Sequence, residues 1–100
     1  MNVEITFDET SSLYENNIDY LKLLLYQQGR CIKDLYKAKG FIYLSTVYEI
    51  LDMKWDPYNT NTCWILERDG FLDIVIKTIT KDSPSKFVIS ISNTNEKTES

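Results

Sequence analysis

Histidine is missing altogether from the 100 residues. That absence removes the mechanisms built on imidazole: Ser-His-Asp and Cys-His nucleophilic sites, histidine-ligated zinc and histidine pH switching. Cysteine is nearly as scarce. Cys31 and Cys63 are too few for the disulfide framework of a small secreted domain. Both are expected as buried reduced thiols, Cys31 on a helical apolar stripe and Cys63 at the start of a strand. Glycine occurs only at positions 29, 40 and 70, which a helix kink, a helix cap and a turn account for, and no GxGxxG or Walker-type loop offers a phosphate cradle. The acidic residues lack the dense loop spacing of a calcium site. Long apolar runs are absent too: the best helical candidate is interrupted by Lys22, Gln27, Gln28 and Arg30, short of the ~18–20 residues a membrane span needs. Residues 1–10 carry Glu4, Asp8 and Glu9 and no base, the reverse of a signal peptide. A cytoplasmic protein of its host cell, with no membrane association, metal or cofactor, is expected.

What is present suits one compact domain. Apolar residues make up 43% and aromatics 13% of the chain, too rich for disorder. Folding at this length hides only about 60–65% of the surface, enough for one core. A single domain over residues 1–92 and a polar tail over 93–100 are expected. Eleven bases against fifteen acids give a net charge of −4, which argues against a generic polyanion binder. The charge is uneven, however: residues 1–16 hold four acids and no base, residues 17–54 are net +2, and residues 55–100 net −2. Arg30, Lys33, Lys37 and Lys39 lie close together with only Asp34 among them. Bases in the last turns of a helix suit its negative end; the same four residues are the candidate basic patch for a nucleic acid or an acidic partner.

Periodicity places the elements. Val3, Ile5 and Phe7 alternate with Glu4 and Thr6 as in a half-buried strand. From about Leu13 the period becomes helical, through Tyr14, Ile18, Leu21, Leu25, Gln28, Ile32 and Leu35, with Ser11 or Ser12 as the candidate N-cap. Gly29 permits either one kinked helix or two consecutive ones, and Gly40 reads as the C-terminal stop. Thr46 followed by Glu49 has capping-box spacing and predicts a short helix from about Thr46 to Met53. A loop over 54–62 contains the turn sequence Asp56-Pro57-Tyr58-Asn59. Asp69-Gly70 between two β-rich runs predicts a hairpin over 63–77, pairing Ile65 with Ile74 and Cys63 with Ile76 on one face, and Trp64 with Val75 and Leu66 with Asp73 on the other. Phe87 to Ile91 reads as a further strand.

Few constellations offer chemistry. Glu67, Asp69 and Asp73 form the densest acidic group, but acids alternating on a strand are ordinarily a solvated face and Asp69 is explained by the turn, so no catalytic residue is assigned. The stretch from Trp55 to Trp64 is the candidate partner-binding site. It sets Trp55, Tyr58 and Trp64 around Asp56 and Asn59, the mixture of large aromatic and adaptable polar groups found at binding hot spots; alternatively, both tryptophans close the core. Seven tyrosines also favour an interaction surface, since tyrosine buries area while keeping a polar tip. Tyr20, Tyr26 and Tyr36 fall off or beside the main helical stripe.

The run Gly40-Phe41-Ile42-Tyr43-Leu44-Ser45-Thr46-Val47-Tyr48-Glu49-Ile50-Leu51-Asp52-Met53, followed by Trp64 and by Phe71-Leu72-Asp73-Ile74, resembles a family of small uncharacterised proteins of phages and mobile elements in low-GC Gram-positive bacteria. The resemblance covers about residues 40–92. Asp52 and Cys63 depart from it, each standing where glycine is common. It implies a setting and a fold rather than an activity. Leu44-Ser45-Thr46-Val47-Tyr48 is also similar to the recognition helix of winged-helix repressors of the ferric-uptake-regulator type. That likeness implies helices at 30–38 and 46–53 with the 63–77 hairpin as a wing. Glu49 stands against it where a base is usual, as do the acidic candidate wing and the lack of histidine.

The fold expected is α+β: one long helix, kinked or straight, and one short helix packed on an antiparallel sheet containing the 63–77 hairpin and the 87–91 strand. The function expected is that of a non-enzymatic phage or prophage accessory protein acting by protein binding, directed at a host or phage protein such as a host defence or regulatory factor. Winged-helix-like DNA regulation is the alternative, although nucleic acid is the less favoured partner. Self-assembly into a homodimer through an exposed strand edge, such as 87–91, is a third possibility.

Overall fold

The computed structural model describes residues 2–54, 62–80 and 84–93. It is an α+β fold in which a 22-residue helix lies beside a three-stranded antiparallel sheet and a smaller two-stranded ladder. In chain order the elements are β1 (Val3–Phe7), α1 (Ile18–Lys39), β2 (Phe41–Tyr43), α2 (Leu44–Ile50), β3 (Cys63–Ile65), the single turn α3 (Leu66–Asp69), β4 (Leu72–Thr80) and β5 (Lys86–Asn93). The larger sheet has the order β1-β5-β4, and β2 pairs with β3 in the smaller one.

The period-two pattern at the N-terminus forms its strand, with Ile5 and Phe7 buried and Glu4 and Thr6 exposed. β5 repeats the pattern: Phe87, Ile89 and Ile91 are buried, and each lies opposite an inward residue of β1, Phe7, Ile5 and Val3 respectively. Inward apolar pairs on adjacent strands are what fix this register, since a one-residue slip would turn the whole set outward. β5 is the central strand, so the 87–91 segment offers no free edge; the edges are β1 and β4.

α1 begins later than the periodicity predicts. Its N-cap is Asn17, whose side-chain oxygen accepts the Tyr20 N–H at 3.1 Å. Ser11 is buried and serves another purpose: its hydroxyl donates to the Leu51 carbonyl at 2.7 Å and accepts the Leu13 N–H at 3.1 Å, tying the segment after β1 to the end of α2. Gly29 breaks nothing, because α1 is continuous across it. Leu21, Leu25, Ile32 and Tyr36 form its buried stripe. Gly40 ends the helix as expected, at φ 81°, with its N–H donating to the Tyr36 carbonyl at 2.8 Å.

α2 starts at Leu44, two residues before the predicted capping box, and ends at Ile50 rather than Met53. Its N-cap is Tyr43, without a side-chain cap; the Leu44 N–H is instead taken by the Thr62 carbonyl at 2.9 Å. The Gln28 amide on α1 donates to the Ile50 carbonyl at 2.7 Å and fastens the two helices together.

The 63–77 hairpin is not formed. Cys63, Trp64 and Ile65 pair with Tyr43, Ile42 and Phe41, and β4 pairs with β5, not with β3. None of the four predicted cross-strand pairs exists. Asp69-Gly70 closes a helical turn, not a hairpin: the Asp69 carboxylate accepts the Ile65 N–H at 2.8 Å, and Gly70 takes φ 77°, ψ −163°, a conformation that side chains forbid. Glycine is demanded there, but by a different backbone path. Trp64 on β3 is fully buried, and its Nε1 has no hydrogen-bond partner among the described residues, so it contributes through apolar area.

The two helix glycines predict opposite outcomes. A Cβ at Gly29 would sit 3.6 Å from Ile74 Cγ2, an ordinary contact, so Gly29→Ala should stabilise the protein by about 0.5–1 kcal/mol through helix propensity. A Cβ at Gly40 would meet no heavy atom within 4 Å beyond its chain neighbours, but φ is positive, so Gly40→Ala should cost about 1–2 kcal/mol in backbone strain alone. Thermal melts should show a rise for the first and a fall for the second, roughly 4–8 °C per kcal/mol at this size.

Candidate functional site

Spacings of three and four put Tyr26, Arg30, Lys33 and Lys37 on one flank of α1. That flank faces β4. Tyr26, Gly29, Arg30 and Lys33 border a recess of about 90 Å³ whose strand side is Ile74 and Ile76. Further along, Lys33, Tyr36 and Lys37 border a larger one of about 270 Å³ with Phe71 and Leu72. Lys33 borders both, so the two recesses lie end to end along the helix, a groove with Lys33 at its middle. Its lining includes three cations and no carboxylate. Tyr26 and Phe71 stand at its rim, 62% and 57% exposed.

Two features hold the rim of this groove. The Tyr36 hydroxyl donates to the Gly70 carbonyl at 2.6 Å, pinning the segment that carries Phe71 to α1, and burial raises the Tyr36 pKa. The Lys37 ammonium lies 5.6 Å from the centre of the Phe71 ring, a cation–π contact worth about 0.5–1 kcal/mol at an exposed site. Behind them, Arg68 donates to both oxygens of Asp69, from Nε to Oδ1 at 3.0 Å and from Nη2 to Oδ2 at 2.8 Å. The same Nη2 reaches the Cys63 carbonyl at 3.0 Å, and the Asn93 amide donates to the Asp69 carbonyl at 3.2 Å. The turn before the groove is thus bonded to β3 and to the end of β5.

The residues singled out in the sequence fare differently. Arg30, Lys33 and Lys37 come together at the groove, whereas Lys39 is exposed in the last turn of α1 and does not line it. Trp64 is a core residue and leaves the candidate partner-binding set, because a side chain with no exposed area has no surface to offer. Trp55, Asp56, Tyr58 and Asn59 lie outside the described residues. Neither cysteine is buried as expected: Cys31 is exposed, on the side of α1 that also carries Asp34 and Ala38, and Cys63 is half-buried. Of the three tyrosines beside the helical stripe, Tyr20 and Tyr26 are exposed while Tyr36 is buried. Glu67, Asp69 and Asp73 do not form a site: Asp69 is engaged by Arg68, and no metal-binding group of three Cys, Asp or Glu occurs among the described residues.

Tyr26 and Phe71 went unassigned in the sequence. Tyr26 was within reach, because positions 26, 30, 33 and 37 share one helix face. Phe71 was not, since its position depends on the chain leaving the 66–69 turn toward β5. Comparison with protein families, curated proteins and solved structures gives no match. No described helix is long and apolar enough to cross a membrane.

Acid should weaken the turn beside the groove. The Arg68 hydrogen bonds hold the Asp69 carboxyl below its ordinary range, and the Thr10 hydroxyl and N–H do the same for Asp8. A depressed folded-state pKa stabilises above the unfolded value, about 3.9 for aspartate, and that stabilisation is lost as pH falls through the folded value. Asp69→Asn should therefore be less stable at neutral pH and lose less stability on acidification below about pH 4, read as the change in urea midpoint.

Proposed function

We propose that this is a non-enzymatic binding protein whose groove between α1 and β4 accepts an acidic, apolar-flanked segment of another protein. The observation that carries the reading is the lining itself: Arg30, Lys33 and Lys37 over a floor of Leu72, Ile74 and Ile76, with no carboxylate among the lining residues. Neither Arg30 nor Lys33 makes an ion pair among the described residues. Apolar floor and exposed Tyr26 and Phe71 supply area, while the cations supply orientation and discrimination. The resemblance of residues 40–92 to phage and mobile-element proteins supports a setting as a phage or prophage accessory protein, with a host defence or regulatory protein as the target. A protein partner is preferred to DNA because the groove is small and floored by apolar side chains, the chain is net acidic, and the 63–77 hairpin needed as a wing is not formed.

The test is direct titration by fluorescence anisotropy. A panel of labelled peptides pairing Asp or Glu with Leu, Phe or Tyr should bind the wild type, and Lys33→Glu with Lys37→Glu should weaken the best binder by about 100-fold, at two charge reversals of some 1–1.5 kcal/mol each. Stability should fall by about 1–2 kcal/mol, from the lost Lys37–Phe71 contact and the acids placed near the helix C-terminus, with the far-UV circular dichroism unchanged. A salt-dependent gel shift with duplex DNA, lost in the same double variant while no peptide binds, would overturn the reading in favour of DNA.

A further inference from the structure

β4 is an edge strand, and among the described residues nothing pairs with its outer side. Edge strands are ordinarily blunted by bulges, charges or proline. In β4 the register irregularity falls between Thr78 and Thr80, leaving Leu72 to Thr78 in unbroken register with β5. That regular stretch is centred on Val75. Ile74 and Ile76 face inward toward α1 and are half-buried, whereas Asp73, Val75 and Lys77 lie on the opposite face, Val75 43% exposed.

This arrangement is its own complement. When two such strands are laid antiparallel about a two-fold axis at Val75, Asp73 of one copy falls opposite Lys77 of the other, and the converse pair forms by symmetry. Val75 meets Val75, and Ile74 meets Ile76 on the inner face. Sliding the register two residues either way sets one of the charges against Val75 and the other against a residue outside the regular stretch. A one-residue slip would set inward against outward side chains. The other edge has no such property: in β1, centred on Ile5, the same operation puts Glu4 against Thr6.

We propose that the chain forms a symmetric dimer by antiparallel pairing of β4 with β4 of a second copy about Val75, with the two Asp73–Lys77 pairs fixing the register. The three-stranded sheets then join into one of six strands. A two-fold axis perpendicular to the sheet keeps both α1 helices on the same face, so both grooves open side by side. Lys77 discourages an unrelated apolar strand at this edge but favours a strand that presents aspartate opposite it, which is the negative and positive selection an isologous interface needs. This assembly shares Ile74 and Ile76 with the groove floor but is held by the β4 edge and the Asp73–Lys77 pairs, not by the groove's cations.

Sedimentation velocity of the full chain across a concentration series tests it. Wild type should show a monomer–dimer equilibrium. Asp73→Lys and Lys77→Asp, each of which sets like charges opposite one another twice, should each weaken the dimer by about tenfold or more. An equimolar mixture of those two variants should recover dimers, because one chain then presents only positive and the other only negative side chains at the paired positions. Val75→Lys, placing two like charges at the axis, should dissociate the wild-type dimer while far-UV circular dichroism remains unchanged. Lys33→Glu with Lys37→Glu should leave dimerisation intact, which separates failure here from failure of the groove reading. A monomer at all concentrations, or a dimer that none of the β4 variants weakens, would overturn the proposal.

Discussion

The reversal of the chain at Gly40 is the constraint on which the groove depends. Its left-handed backbone ends α1 and turns the chain back as β2, its N–H closes the last turn onto Tyr36, and its carbonyl accepts the Leu66 N–H at 2.8 Å. One residue thus joins the helix end to the start of the short turn α3. Tyr36 completes the joint from the other side, because its hydroxyl holds the Gly70 carbonyl. Leu66 and Gly70, the two ends of the turn that delivers Phe71, are both fixed to the last turns of α1. A looser helix terminus would leave the aromatic rim of the groove without a fixed position relative to Lys37.

Much of the fold was legible because it rests on local pattern. Alternation at Val3–Phe7 and Lys86–Asn93, the stripe through Leu21, Leu25 and Ile32, and the stop at Gly40 each express a backbone period or a single special φ. What failed did so where a local signal was overridden by a distant partner. Asp69-Gly70 has hairpin chemistry, but Asp69 is recruited by Arg68 and Ile65, and the Phe41–Tyr43 segment offers β3 a pairing partner that no adjacent signal announces. Ser11 is a good N-cap by type, yet Leu51, far along the chain, claims its hydroxyl. Thr46 loses its capping role because Thr62 meets the first free N–H of α2 from outside the helix.

The site divides along the same line. Its cations were visible as a cluster, since helix spacing alone brings Arg30, Lys33 and Lys37 to one flank. Their apolar counterpart was hidden, because Phe71, Leu72, Ile74 and Ile76 reach that flank only once β4 has paired with β5 and not with β3. The uneven charge of the chain also takes on a spatial meaning. A net acidic protein gathers three of its bases around this apolar floor and keeps Asp73 on the opposite face of the sheet, while Asp34, one helical turn from Arg30, borders the neighbouring recess together with it.

The strand order β1-β5-β4 bears on how the chain reaches this state. β1 precedes every other described element in the chain, yet among the described residues its sheet partner is β5, with Val3 opposite Ile91. Closing so long a loop must precede any gain from that pairing, and such topologies raise contact order and slow folding. During synthesis Val3, Ile5 and Phe7 have no ladder to join, while α1 can form from local contacts alone. β1 therefore cannot enter the sheet until β5 has been made, so the strand that comes first in the chain must wait for the one that comes last among the described elements.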